Sequence, residues 1–168
     1  MKRQDSSWLG NMGTTYTKIA ESLSPNSKPI CDLVHIFGEA RKAKLQFLLD
    51  LHTADEDRRY FSSVVLPANQ AWLAEVDGHP AGFIAFAPGW VNHLYVLPQF
   101  QSRGVGTHLL DIAKQQNQSL DLWVFEANVP AIKFYQRRGF RMIERTDGNA
   151  NEAKKPDVRM RWRGTKAR

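Results

Sequence analysis

The sequence predicts one mixed α/β domain, and three observations lead there. In the first third, Leu33, Ile36, Phe37, Ala40 and Ala43 recur at three- and four-residue steps, the spacing of one helix face. In the middle, strand-like runs are punctuated by the turn pairs Asp77-Gly78 and Pro88-Gly89. Beyond these, helical and strand patterns alternate to the C-terminus. A length of 168 residues suits one domain with a sizeable core, and two independent domains would be cramped.

Taken in order, residues 1–13 are polar, with Gly10 and Gly13 and no periodicity, and read as a disordered N-terminus. Thr14–Ile19 is a first strand, because Thr-Tyr-Thr favours extended backbone. Ser24-Pro25-Asn26-Ser27 is a turn, and a helix follows Pro29. Thr53-Ala54-Asp55-Glu56 is a capping box, in which Thr53 and Glu56 satisfy each other's orphan donors. The helix it opens runs to about Val65, with Tyr60, Phe61 and Val64 inward, and Pro67 ends it.

Ala71–Val76, Ala81–Phe86 and Trp90–Leu97 form a three-strand meander through the two turns. A glycine loop then opens a helix from Gly104 to about Gln116. Leu120–Phe125 is an apolar run without alternation, as expected of a strand buried on both faces. Asn128 caps a helix with Pro130 in its first turn, and Gly139 supplies the exit. Phe140–Arg145 and Val158–Trp162 close the sheet around a polar loop, Asp147–Pro156, expected to be mobile. The single domain is thus placed at 14–163, with a basic tail at 164–168.

Hydrophobic residues at 42% and charged residues at 24% fit a soluble globular chain and argue against a disordered or fibrous one. No apolar run approaches the roughly 18 residues of a membrane span. No long apolar stretch follows Met1-Lys2-Arg3-Gln4-Asp5, so no secretory signal is read there. Cys31 permits no internal disulfide, which fits a reducing cytoplasm, and it reads as a small buried hydrophobe near a helix start. The net charge of +6 is local: Lys154–Arg168 holds seven Lys/Arg and one Asp, and the rest of the chain balances to zero. A basic end can mark nucleic-acid or membrane contact, but Trp162 alone is a poor stacking platform, which argues against nucleic acid.

The chemistry concentrates in two segments. Gln101-Ser102-Arg103-Gly104-Val105-Gly106-Thr107 follows the strand Leu94-Tyr95-Val96 and opens the helix at His108. Small residues at a helix start leave backbone N–H groups unpaired and open, with the partial positive charge of the terminus behind them, a ready site for a pyrophosphate. It is neither a dinucleotide fingerprint, since Leu109 stands where a third glycine is needed, nor a P-loop, which needs Gly-Lys-Ser/Thr. The second segment is Asn128-x-x-Ala131-x-x-Phe134-Tyr135-x-x-x-Gly139-Phe140.

Together these residues resemble the GNAT superfamily of N-acetyltransferases, whose signature is Gln/Arg-x-x-Gly-x-Gly/Ala followed about thirty residues on by the Asn…Phe-Tyr…Gly-Phe cluster. The resemblance is close from about Trp72 to Phe140, whereas residues 1–50 match only in outline. It implies a GNAT-like acyl-CoA N-acyltransferase fold, with a central twisted, mostly antiparallel sheet of six to seven strands and about four helices. It further implies acetyl-CoA as donor and an amine, small-molecule or peptide, as acceptor.

Carried over residue by residue, the loop Gln101, Ser102, Arg103, Gly104, Val105, Gly106 and Thr107 would hold the pyrophosphate. Leu94, Tyr95 and Val96 would pair with the pantetheine arm as if it were an added strand. That strand would splay from Leu122–Phe125, leaving the thioester in the gap near a backbone N–H at Val96. Asn128 would contact the arm, and Ala131 and Phe134 would wall it. Tyr135 would protonate the leaving thiolate as general acid, a phenol having an ordinary pKa near 10.

The base is less evident. Family members often supply one from the face that alternation gives here to Trp90, Asn92 and Leu94, none of which titrates. Asn92 could order a water; His93, although alternation aims it at the opposite face, and Glu126 are candidate bases, with Glu75 a further fallback, and a water chain or bulk solvent is the alternative to any of them. His35, His52, His79 and His108 have no metal-ligand spacing, and no metal is expected. Trp72, Trp90, Tyr60 and Phe61 are candidates to line the acceptor pocket. Cys31 has no evident base partner, so direct transfer in a ternary complex is favoured over an acetyl-enzyme. Two alternatives stay open: an acyl-CoA-binding regulator that has lost turnover, and a nucleic-acid-binding module using the basic end. A cytoplasmic location without membrane contact is expected, and a homodimer is compatible with the reading.

Overall fold

The computed structural model describes residues 7–9, 13–45 and 52–165. Eight strands form one sheet: β1 (Ser7–Leu9), β2 (Thr14–Ile19), β3 (Gln70–Val76), β4 (His79–Ala87), β5 (Trp90–Val96), β6 (Ser119–Phe125), β7 (Arg141–Thr146) and β8 (Asp157–Arg163). Their spatial order is β1-β2-β3-β4-β5-β6-β8-β7. Every neighbouring pair is antiparallel except β5 and β6, which are parallel. The helices are α1 (Lys28–Lys44), α2 (Ala54–Tyr60), α3 (Leu66–Ala68), α4 (Val105–Gln115) and α5 (Val129–Arg137). A π-helical turn, Phe61–Val65, joins α2 to α3, and a 3₁₀ turn, Pro98–Phe100, follows β5.

The mixed, mostly antiparallel architecture expected from sequence is present, with eight strands in place of six or seven. The addition is β1, whose Trp8 lies opposite Tyr16, so residues 7–9 of the expected disordered N-terminus form an edge strand. The remainder of that stretch, 1–6 and 10–12, lies outside the described residues, as do 166–168 of the basic tail. Among the described residues no helix is long and apolar enough to cross a membrane.

Local chemistry accounts for most boundaries. Asp77 and Gly78 both have positive φ, 51° and 77°, the pair that a two-residue hairpin turn demands between β3 and β4. The capping box of α2 forms: Thr53 Oγ1 accepts from the Glu56 N–H at 3.2 Å, and the Thr53 N–H donates to Glu56 Oε2 at 2.7 Å. The π-helical turn then shifts the inward face. Phe61, Val65 and Leu66 are buried, whereas Tyr60 and Val64, expected inward, are exposed. Pro67 does not end the helix there, because its missing N–H falls in the first turn of α3. On α1 the buried stripe runs through Ile30, Leu33, Val34, Ile36, Phe37 and Ala40. Cys31, one step round from Ile30, is exposed and not the buried hydrophobe expected.

The sheet separates two cores. Trp72, Ile84, Leu109, Leu122, Phe140 and Met160 belong to the one beneath α4 and α5. Ile30, Phe37, Phe61, Leu73, Phe83 and Ala85 belong to the one beneath α1 and the π turn. Strand alternation divides neighbours such as Trp72 and Leu73 between them. On β6, Leu120, Leu122 and Val124 are buried but Trp123 is 44% exposed. The strand is therefore covered by apolar packing on one face only, not both as expected. Asp121, on the uncovered face, is buried by arginines of β8. Within the Asp147–Pro156 loop, Asn151 Nδ2 donates to Lys155 O at 2.8 Å.

Two irregularities in β5 open the sheet at its centre. Its register with β4 pairs Ala85 with His93 but Phe86 with Val91, so Asn92 is an extra residue, a β-bulge. Its pairing with β6 is confined to Trp90 opposite Asp121, where the Asp121 N–H donates to Gly89 O at 2.8 Å. Beyond that point the two parallel strands part.

Candidate active site

The parting of β5 and β6 opens a cleft of about 730 Å³. Asn92, His93, Leu94, Tyr95 and Val96 line one wall, and Leu122–Phe125 line the other. Gln101, Ser102, Gly104, Gly106 and Thr107 close one end, and Asn128, Ala131, Phe134 and Tyr135 contribute from α5 and its cap. The structure thus gathers at one place residues that lie up to forty-odd positions apart in sequence.

The loop at the end of the cleft is built to present main chain. The Gln101 side-chain amide donates to Val96 O at 3.0 Å, fixing the loop to the end of β5. Ser102 and Gly104 both have positive φ, 60° and 82°. A Cβ on Gly104 would meet no protein atom within 4 Å, so its φ and not protein packing calls for glycine, and the space before it stays open. The first helical bond of α4 runs from the His108 N–H to Gly104 O at 3.0 Å, which leaves the N–H groups of Val105, Gly106 and Thr107 without helical partners. Not every loop side chain takes part. Arg103 is exposed with its guanidinium 5.8 Å from the Phe100 ring, and the Val105 side chain is buried in the core; neither lines the cleft.

Arg138 is the residue that sequence reasoning missed. Its Nε donates to Thr107 Oγ1 at 2.8 Å and its Nη1 to Phe134 O at 2.9 Å, while the guanidinium lies 3.6 Å from the Phe134 ring centre. It lines the cleft with Lys133 and Arg137, so the loop end is cationic. The available signal was a pair of arginines just before Gly139, which reads more simply as cations at a helix C-terminus.

Tyr135 is 8% exposed, lines the cleft, and packs edge-on to Phe134 and Phe140. Burial first, and the nearby Tyr95 phenol second, push its ionisation well above the ordinary value, so the hydroxyl keeps its proton and can donate. Asn128 Oδ1 accepts from the Ala131 N–H at 3.4 Å, capping α5 from within the cleft wall.

The bulge rearranges the base candidates. Val91, Leu94 and Val96 share the α4 side of the sheet, while His93 and Tyr95 share the α1 side. The expected common face of Trp90, Asn92 and Leu94 is therefore not formed, because the extra residue breaks alternation. Asn92 donates to Asn69 Oδ1 at 2.7 Å. His93 lines the cleft with its Nδ1 buried and unpartnered, among the rings of Phe37, Phe61, Phe83 and Tyr95. Burial, with Arg41 as the lesser cause, lowers its pKa to about 4, so the imidazole is neutral at pH 7. Glu126 is not brought to the cleft; its carboxylate pairs with Arg145 at 2.6 Å. Among the aromatic candidates, Trp72 and Phe61 are core, Trp90 lies under the Arg159 guanidinium at 4.9 Å, and Tyr60 is exposed beside His93.

A model of the acetyltransferase (GNAT) family matches residues 35–140. The peptidyl-lysine N-acetyltransferase YiaC of Escherichia coli is 36% identical over 76 residues, which is 45% of this chain and 52% of that protein. The chain spans about half the length of the curated relatives it matches. The solution structure of apo YjaB from Escherichia coli superposes with a TM-score of 0.69 at 23% identity, covering 92% of this chain and all of that one. The PaiA N-acetyltransferase of Thermoplasma acidophilum, solved with coenzyme A, gives 0.68 at 19% identity over 90% of this chain and 99% of that one. At these identities the two structures speak for the fold.

Proposed function

The chain belongs to the acetyltransferase (GNAT) family, and from that premise we propose that it moves the acetyl group of acetyl-CoA to a primary amine by direct attack in a ternary complex. Acetyl-CoA is the co-substrate of the family, and the residues present fit it. Bound acetyl-CoA would supply an activated thioester acyl group. The unpaired N–H groups of Val105, Gly106 and Thr107, with the Arg138 guanidinium beside them, suit a diphosphate at a helix start. Among the described residues no strand pairs with the edge of β5 that faces β6 beyond Trp90, which suits its main chain to bond an extended amide-bearing arm.

Chemistry falls to three groups. Main-chain N–H groups near Val96 would polarise the acyl carbonyl; a preorganised donor of this type is worth roughly 3–4 kcal/mol in comparable acyl transfers. Tyr135 would donate its proton, or a hydrogen bond, to the departing sulfur. His93, which lines the cleft wall and is neutral at pH 7, is the better placed of the candidate bases, since Asn92 cannot accept a proton and Glu126 is engaged elsewhere. Some relatives are described as acting on peptidyl-lysine, which supports a polypeptide amine as acceptor.

The observation that carries this reading is the opening of β5 from β6 directly beside a helix start with three unpaired N–H groups. Two measurements test it together: calorimetric titration with coenzyme A, and thiol release from acetyl-CoA across small amines and peptides. Heat with release is the expected result. Heat without release from any amine would leave a binding protein, and the absence of both would end the proposal. Gly104→Val should abolish the heat by crowding the space before the loop.

A further inference from the structure

Strand β8 reads Arg159-Met160-Arg161-Trp162-Arg163, and a period of two puts its three arginines on one face. Met160 between them is fully buried on the other. Arg161 stands directly across from Arg141 of β7, and Arg159 across from Glu144. From β6, Asp121 accepts from Arg159 and Arg161, each through Nε at 2.7 Å. Four arginines thus share this face with three carboxylates, Asp121, Glu144 and Asp157. Like charges directly opposite on neighbouring strands are unfavourable. Among the described residues no carboxylate pairs with Arg141 or Arg163, and both are exposed.

The face runs into the cleft. Trp123, 44% exposed, lies in one cross-strand row with Arg159 and Glu144 and also lines the cleft wall. On the opposite side of the mouth, Lys44 lines the cleft, and the Arg41 guanidinium sits 4.5 Å from the Phe37 ring centre, one ring away from His93. Among the described lining residues the one carboxylate is Asp157, whose oxygens already accept from Thr146 and Asn151. An approaching acceptor therefore meets cations on both sides and an exposed indole between them.

We propose that the open face of β6, β8 and β7 binds an acidic segment of a polypeptide acceptor, holding its amine at the cleft mouth beside His93. The inference rests on the acyl-transfer reading and names the acceptor for it. A nucleic-acid strand fits less well, because Asp121 and Glu144 interrupt the cationic row and Trp123 is a single stacking surface. An acidic peptide tolerates such a spacing, as its own carboxylates are intermittent.

The test uses three peptide series that share the amine-bearing residue and differ in the flanking segment, which is rich in Asp/Glu, Asn/Gln or Arg. Each is made with its amine at the N-terminus alone or on one lysine alone, which separates the two sources of amine. Binding to the coenzyme A-loaded protein is read by fluorescence anisotropy, and transfer by thiol release. The acidic series should bind and react about tenfold better than its amide counterpart, with the gap closing as salt rises. The double variant Arg141→Glu, Arg163→Glu should lose about tenfold for the acidic series through KM, with kcat for a small tail-less amine unchanged. Equal binding of the three series overturns the proposal, as does single-stranded RNA binding more tightly than the acidic peptide and losing affinity in the same variant. Absence of thiol release from every amine would overturn the acyl-transfer reading instead, and anisotropy would still decide the fate of the docking face by itself.

Discussion

Arg138 at the end of α5 donates to Thr107 Oγ1 in the first turn of α4, joining two helices thirty-one residues apart at the rim of the phosphate-like loop. Its Nη1 also bonds Phe134 O, so the planar fork is held in one orientation beside the unpaired N–H groups. Lysine cannot reproduce that fork. Arg138→Lys should raise KM for acetyl-CoA about tenfold while leaving kcat within about twofold, since the charge stays but the fixed geometry goes. Arg138→Ala should add a loss of thermal stability, because the guanidinium also covers the Phe134 ring at 3.6 Å. Steady-state kinetics with acetyl-CoA varied, alongside a melting curve, separate the two effects.

Tyr135→Phe keeps the ring that packs against Phe134 and Phe140, and removes only a hydroxyl that has no protein hydrogen bond among the described residues. Melting temperature and coenzyme A affinity should therefore barely change. Turnover should fall about 10²-fold, the lower range for loss of a general acid. Because burial holds the phenol's ionisation well above its ordinary value, any basic limb in the rate profile of the native protein belongs to another group. Unchanged turnover in this variant would remove Tyr135 from the mechanism.

His93 links the cleft to acid stability. Its pKa falls from 6.5 to about 4 on folding, so between those values the unfolded chain binds more protons than the folded one. Stability should then rise with pH across that window and be flat above it, and His93 should account for roughly 2–3 kcal/mol of the loss between pH 6.5 and 4. His93→Phe places a ring among Phe37, Phe61 and Phe83, and should flatten the slope. Denaturant unfolding of both proteins at pH 7 and pH 5 gives the difference directly, and an identical slope in the variant would show that the ring is not the proton acceptor during unfolding. The same variant should lose most of its transfer activity at pH 7, as expected if the imidazole takes the amine's proton.

Features written in adjacent residues were legible in the sequence, and features that need a partner were not. Asp77-Gly78, Thr53 with Glu56, and Gly104 each specify a backbone state through their own chemistry, and each is found in it. The bulge at Asn92 escaped because alternation assumes one residue per step, and nothing in Trp90-Val91-Asn92-His93 marks an insertion. That single residue separates Trp90 from the face of Leu94, which alternation would have given them in common. The π turn escaped likewise, moving Val65 inward in place of Val64. Arg138 escaped for reach: a long side chain bonding a threonine thirty-one positions earlier leaves no local trace. Asp121 was hidden inside an apolar run whose partners lie some forty residues on.

That carboxylate supplies the last expectation. Asp121 is 5% exposed and accepts from the Nε atoms of Arg159 and Arg161, two strongly charged neighbours that would otherwise repel each other and Arg141. Hydrogen bonds from Arg161 and Arg159 hold its carboxyl below the ordinary value of 3.8. Asp121→Asn preserves shape but removes the charge, leaving Arg161 without a carboxylate and Arg159 with Glu144 alone, beside a buried amide. At pH 7 the variant should be about 2–3 kcal/mol less stable, less than for a fully buried pair because both arginines are partly exposed. A group with a depressed folded pKa stabilises fully above its unfolded value and loses that contribution as pH falls through the folded one. The gap between the two proteins should therefore be constant from pH 7 to about pH 5 and shrink below pH 4, where the unfolded chain's carboxylate takes up its proton while the native one, with its lowered pKa, still resists. Urea unfolding across that range measures it. A gap that stays undiminished at pH 3 would mean that the side-chain amide disrupts the strand by its hydrogen bonding, and that charge balance at Asp121 is not what joins β6 to β8.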